Sequence, residues 1–122
     1  MAAHNNLGSW GEEKAVEYLK RKGFQILHRD WKYQHRDLDI VASIDNQLVI
    51  VEVKTRKKDT VLAPEMAVDR RKVRSLMIAA NAYIKLFKID KEVRFDIIAI
   101  LGDNDDNMEI NHIEDAFLPI PY

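Results

Sequence analysis

Apolar positions along this chain recur with two rhythms, one helical and one strand-like. Over residues 10–22, Ala15, Val16 and Leu19 form a helical stripe, with Ser9 and Glu12 set as a capping box and Gly23 as the stop. Phe24-Gln25-Ile26-Leu27-His28 reads as a strand that leads on through Trp31 and Tyr33 to the polar turn Tyr33-Gln34-His35-Arg36. Two alternating runs follow, residues 37–43 and 47–55, joined by a hairpin turn at Asp45-Asn46. Pro64 opens a short helical stretch, and Asp69 is the expected N-cap of a long helix reaching about Phe87. Val73, Leu76, Met77, Ala80, Ile84 and Phe87 make the buried stripe of that helix. The apolar run Val93–Leu101 then returns parallel to the 47–55 strand, and residues 108–113 form an edge strand. The fold class predicted is α/β, one mixed sheet flanked by helices in the order α-β-β-β-α-β-β.

Two ionisable residues interrupt the most apolar of these runs, Leu48-Val49-Ile50-Val51-Glu52-Val53-Lys54. Strand side chains alternate, so Glu52 and Lys54 share a face. Burying either is costly unless it is paired or bound to something. One reading is an internal ion pair at a strand end; the other is a metal-binding carboxylate with a catalytic lysine beside it. A hairpin centred on Asp45-Asn46 sets Asp39 opposite Glu52 and Asp37 opposite Lys54, all on one face. Opposed residues hold their Cβ atoms about 4.5–5.5 Å apart, and like charges so placed destabilise a sheet. Such a pair of carboxylates needs a shared proton or a cation, and Mg²⁺ takes a few carboxylates plus water. A frayed, solvated strand end is the bland alternative.

Four segments, in this order and spacing, resemble the PD-(D/E)xK nuclease core, the restriction endonuclease-like fold. Within it they are most similar to the bacterial YraN-like family, relatives of Holliday-junction resolvases. The segments are Leu7-Gly8-Ser9-Trp10-Gly11-Glu12-Glu13-Lys14-Ala15, Asp37-Leu38-Asp39-Ile40-Val41, Val51-Glu52-Val53-Lys54-Thr55-Arg56 and Arg94-Phe95-Asp96-Ile97-Ile98, over residues 7–101. That family has Gly-Glu where this chain has Arg36-Asp37, so the acidic group at Asp37 has a shorter reach and is expected only as an accessory. The resemblance implies metal-dependent cleavage of phosphodiesters in DNA or structured nucleic acid. It implies that Asp39, Glu52 and the backbone carbonyl of Val53 hold one Mg²⁺ or Mn²⁺. Lys54 is then expected to position or deprotonate the attacking water, or to stabilise the phosphate. Glu12 has two candidate jobs, capping its helix or approaching the metal site.

Charge distribution adds a partner. Residues 54–74 hold eight Lys/Arg against three Asp/Glu, whereas residues 103–115 hold six Asp/Glu and no Lys/Arg. A basic face and an acidic one follow, and Arg56, Lys57, Lys58, Arg70, Arg71 and Lys72 are the expected phosphate contacts. The bland alternative is two solvated faces. His35 is expected as an exposed turn residue, Trp31 as a packing residue, and Asp96 as a structural partner of Arg94. At 122 residues and 47% hydrophobic content the chain is expected to be one globular domain, with a disordered lead over 1–6 and an extended tail over 116–122. It contains no cysteine, which excludes disulfides and thiolate chemistry and suits a cytoplasmic setting. No membrane span or secretory leader is expected. The sequence leaves the oligomeric state open, a homodimer included. Two alternatives stand beside the nuclease: a non-cleaving nucleic-acid-binding protein of the same fold, and a protein-interaction module using the acidic C-terminal region.

Overall fold

A computed structural model describes residues 6–58 and 69–117 of the chain. The elements run α1 (Leu7–Arg21), β1 (Gln25–Tyr33), β2 (Arg36–Ile44), β3 (Gln47–Arg56), α2 (Arg70–Leu86), β4 (Glu92–Leu101) and β5 (Glu109–Ile113). The result is an α/β fold: a five-stranded mixed sheet in the order β1-β2-β3-β4-β5, flanked by two helices. The calls on residues 1–5, on the helical stretch at Pro64 and on the tail at 118–122 lie outside the described residues.

The β2–β3 hairpin closes on Asp45 and Asn46, both at positive φ (48° and 63°). That is the primed geometry whose twist matches antiparallel strands, and Asn and Asp tolerate it. It fixes the expected register, with Ile44 opposite Gln47 and Ile40 opposite Val51. β4 lies parallel to β3, Val51 beside Asp96, as a crossover through α2 requires. β5 closes the far edge antiparallel to β4.

Each face of the sheet carries its own core. Ala15, Val16 and Leu19 of α1 pack on Ile40, Ala42, Val49, Val51, Ile98 and Ile100. Leu76, Met77, Ala80 and Tyr83 of α2 pack on Val41, Leu48, Ile50 and Phe95. Each buried Val, Leu, Ile, Met or Phe among them contributes about 1.5–3 kcal/mol.

Two expectations about the helices are corrected. α1 begins at Leu7, and its N-cap is Asn6, whose Oδ1 accepts the Ser9 N–H at 2.7 Å. Ser9 therefore lies inside the first turn, and Glu12 caps nothing. In α2 the N-cap is Asp69 as expected, but Phe87 is the C-cap and stays 42% exposed. Tyr83 takes the deep position instead, because its hydroxyl finds His28 Nδ1 at 2.8 Å.

Asp96 is fully buried and fully paired. Both its oxygens bond the Arg94 guanidinium at 2.9 Å, Oδ2 also bonds His112 Nε2 at 2.8 Å, and Oδ1 accepts the Asp115 N–H at 3.0 Å. His112 Nδ1 in turn reaches the Tyr18 hydroxyl at 3.1 Å, tying α1 to β5. Asp96→Ala strands the Arg94 guanidinium, so it should cost about 3–5 kcal/mol in urea unfolding. A loss below about 1 kcal/mol would show that the network does not hold the two edges together.

Candidate functional site

β3 is the central strand, and Glu52 sits near its C-terminal end, 3% exposed. Along β3, Leu48 and Ile50 face the α2 core while Val49, Val51 and Val53 face the α1 side. By that alternation Glu52, Lys54 and Arg56 look toward α2.

Asp39 lies near Glu52 where the β2–β3 ladder ends, although β2 itself runs on beside β1. The β2–β3 ladder stops at Ile40 and Val51, one step short of this pair. Leu38 packs in the α2-side core and Ile40 in the α1-side core, although they are two residues apart. Alternation therefore resets at Asp39. The neighbouring strand matches: β1 has a bulge between Ile26 and His28, and Asp30, which lies across from Asp39, has φ 51°. Freed from either face, the Asp39 carboxylate turns into the seam and accepts the Val53 N–H at 2.9 Å. It replaces a lost ladder bond. A strand residue's N–H and C=O point to the same edge, so the Val53 carbonyl opens into that seam as well.

Burial raises the Asp39 pKa to about 8, and the adjacent Glu52 charge pushes the same way, against the Val53 N–H bond. The nearby Glu52 carboxylate thus favours the protonated form of Asp39. Two ammonium groups converge on one Glu52 oxygen: Lys54 Nζ and Lys72 Nζ each lie 3.4 Å from Oε2. The other oxygen, Oε1, is buried and has no donor. Lys54 was expected here. Lys72 was expected as a phosphate contact; α2 brings it to the carboxylate instead. Its sequence signal was weak, because nothing local links residue 72 to residue 52.

Glu12 is half-buried on α1. Burial raises its pKa first, then the charges of Asp30, Asp37 and Glu52, against Arg29. Its closeness depends on Gly11, where a Cβ would collide with Thr55 of β3. Asp37 does not sit across from Lys54; it pairs with Lys32 of β1 at 3.5 Å. Lys58, an expected phosphate contact, is paired with Glu109 at 3.3 Å. Arg56 Nη1 donates to the Thr55 carbonyl at 2.8 Å, and Lys57, Arg70 and Arg71 are exposed. His35 is exposed and Trp31 packs edge-on against Tyr83.

Among the described residues no three Asp, Glu or His side chains converge as a metal cluster. The donor set is smaller: the Asp39 carboxylate, the orphaned Glu52 Oε1 and the Val53 carbonyl. Two carboxylates and one carbonyl suit a hard cation such as Mg²⁺, which keeps several waters. The residues present therefore fit a divalent cation.

The model for Uncharacterised protein family UPF0102 matches residues 11–100. A UPF0102 protein of Bacteroides thetaiotaomicron is 53% identical over 119 residues, spanning 98% of each chain. One from Parabacteroides distasonis is 45% identical over 117 residues, 96% of each chain. One from Flavobacterium psychrophilum is 44% identical, covering 96% of this chain and 98% of that one.

The carboxylate pair imposes a pH dependence. Asp39 titrates near 3.8 when unfolded and near 8 when folded. Between those values the native protein holds a proton that the unfolded chain has released. Stability in a metal-chelating buffer should therefore fall as pH rises from about 4 to 8, by up to about 1.4 kcal/mol per pH unit, and level off above. Asp39→Asn should remove that slope. Thermal melts across this range decide it, and an identical slope in wild type and variant would sink the proton retained on Asp39.

Proposed function

The chain belongs to family UPF0102, the YraN-like family, and from that premise we propose that it is a metal-dependent nuclease cleaving phosphodiesters in DNA or structured nucleic acid. The observation that carries the reading is the seam where β2 leaves β3. There Asp39 accepts the Val53 N–H beside the buried Glu52, whose Oε1 is orphaned and whose Oε2 meets Lys54 and Lys72. The restriction endonuclease-like assignment rests on the same Asp39, Glu52 and Lys54 set, read together with the mixed sheet.

Asp39, Glu52 and the Val53 carbonyl would hold a divalent cation, which would supply positive charge and Lewis acidity at the phosphate. The remaining work falls to the chain's own groups. Asp39 would have to be ionised to serve as a ligand, since a ligating carboxylate carries its charge. Lys54 Nζ, beside Glu52 Oε2, is placed to orient water and to neutralise charge on a pentavalent phosphate. Lys72 Nζ offers a second positive group from α2. Glu12, with its raised pKa, is placed to take or return a proton through water.

Part of the acidic C-terminal region is engaged within the chain, while Asp103, Asp105, Asp106, Glu109, Glu114 and Asp115 all stay exposed. Asp105 binds Trp10 Nε1 at 3.1 Å and Lys14 Nζ at 2.9 Å, and Asn107 Oδ1 caps Asp103 and Asn104. A non-cleaving nucleic-acid binder is separated by turnover: it shows salt-dependent binding without products.

The test is a Mn²⁺-dependent assay on duplex, flap, junction and single-stranded DNA, run beside thermal melts. Wild type should cleave at least one substrate, and saturating Mn²⁺ at about 100 times its Kd should stabilise it by about 2.7 kcal/mol. Asp39→Asn and Glu52→Gln should abolish both effects. Lys54→Ala should keep the thermal shift and lose about 10²–10⁴ in rate. A simple structural ion pair predicts the reverse: every substitution destabilises, and Mn²⁺ shifts nothing.

A further inference from the structure

A cleft of about 460 Å³ opens between the β1–β2 turn and the first turns of α2. Its walls include His35, Arg36, Arg71, Lys72 and Arg74, and Asp69 is the one carboxylate among its lining residues. That carboxylate is already engaged, since Asp69 Oδ1 accepts the Lys72 backbone N–H at 2.9 Å. Arg36 is half-buried; its Nη1 donates to Gln34 at 3.2 Å, but its buried Nε has no partner. Among the described residues, no carboxylate lies within 4.0 Å of Arg36, Arg71 or Arg74. A buried guanidinium donor without an acceptor costs free energy that an incoming anion recovers.

Lys72 links the cleft to the carboxylate seam. It lines the cleft wall, yet its Nζ reaches Glu52 Oε2 at 3.4 Å. Arg36 opens the strand that carries Asp39. We propose that this cleft seats a phosphate of the nucleic-acid strand next to the one at Asp39 and Glu52, an inference that rests on the nuclease reading. Guanidinium groups match phosphate oxygens in a two-pronged fit, and Arg36, Arg71 and Arg74 come from two separate elements. The volume exceeds what a phosphate needs, leaving room for its sugar and base against Ile78. Lys72 stands between the two seats, so a phosphate in the cleft competes with Glu52 for its ammonium. The seated group is either an internal phosphodiester or a terminal 5′-phosphate.

The experiment is fluorescence anisotropy in a chelating buffer, where no cleavage occurs. The probes are two short single-stranded oligonucleotides labelled at the 3′ end, one with a 5′-hydroxyl and one with a 5′-phosphate. The variants are Arg36→Ala and the exposed pair Arg71→Glu/Arg74→Glu, each checked by thermal melting. Lys85→Glu/Lys88→Glu, at the other end of α2, makes the same charge change away from the cleft. Wild type should bind, the cleft variants should weaken binding about tenfold or more, and the distal pair should change it less than about twofold. Equal weakening for both probes identifies an internal phosphodiester; weakening confined to the phosphorylated probe identifies a terminal phosphate. Wild-type affinity in both folded cleft variants overturns the seat and leaves the nuclease reading standing. Failure of wild type to bind either probe also overturns the seat, and turnover in the Mn²⁺ assay decides the nuclease reading separately.

Discussion

Two carboxylates cannot both be charged and dry side by side. Asp39 and Glu52 face that constraint, and much of the fold is arranged around it. One local answer is a proton, which burial and the Glu52 charge retain on Asp39 up to about pH 8. A second is positive charge, brought to Glu52 Oε2 by Lys54 and Lys72. A third is the Val53 N–H, which the end of the β2–β3 ladder makes available to Asp39. None of these reaches Glu52 Oε1, which is left facing the seam. An arrangement that stops one donor short of satisfaction is costly as architecture and useful as a binding site.

Asp96 offers an internal contrast. It is also a buried carboxylate on a neighbouring strand, yet every oxygen is occupied by Arg94, His112 or the Asp115 N–H. Although burial acts upward, bonds from His112 and Arg94 draw its pKa below the ordinary value. The two sites use the same residue class on adjacent strands and end in opposite states. Asp96 locks β4, β5 and α1 together, whereas Asp39 and Glu52 hold unspent bonding capacity. That difference, rather than burial alone, separates a structural acid from a chemical one.

The positive charge is likewise divided by what it touches. Lys58 and Lys14 are paired with Glu109 and Asp105 and brace the turn regions. Arg36, Arg71 and Arg74 have no such partner among the described residues and share one cleft with Lys72. The net charge of −1 conceals this segregation, because the acidic stretch balances the sum without neutralising the cleft. Among the described residues no helix is long and apolar enough to cross a membrane.

The sequence by itself determined the element order, the hairpin register and the parallel return of β4. Each of these follows from short-range signals: period-2 and period-3.6 patterns, the Asp45-Asn46 turn and the Asp69 cap. It also brought forward Asp39, Glu52 and Lys54, because charges inside an apolar strand are conspicuous. It misplaced the start of α1, since Asn6 and Ser9 are equally good caps by residue type. It could not foresee the reset at Asp39, which separates Asp37 from Lys54 and turns one carboxylate into the seam. Pattern reasoning assumes unbroken alternation, whereas the register shift in β1 and the positive φ at Asp30 have no local signal in the hydrophobic pattern. Lys72 was out of reach for the same reason. Its contact with Glu52 joins residues 20 apart across a helix-to-sheet interface, and only the tertiary fold fixes where a long side chain on α2 comes to rest.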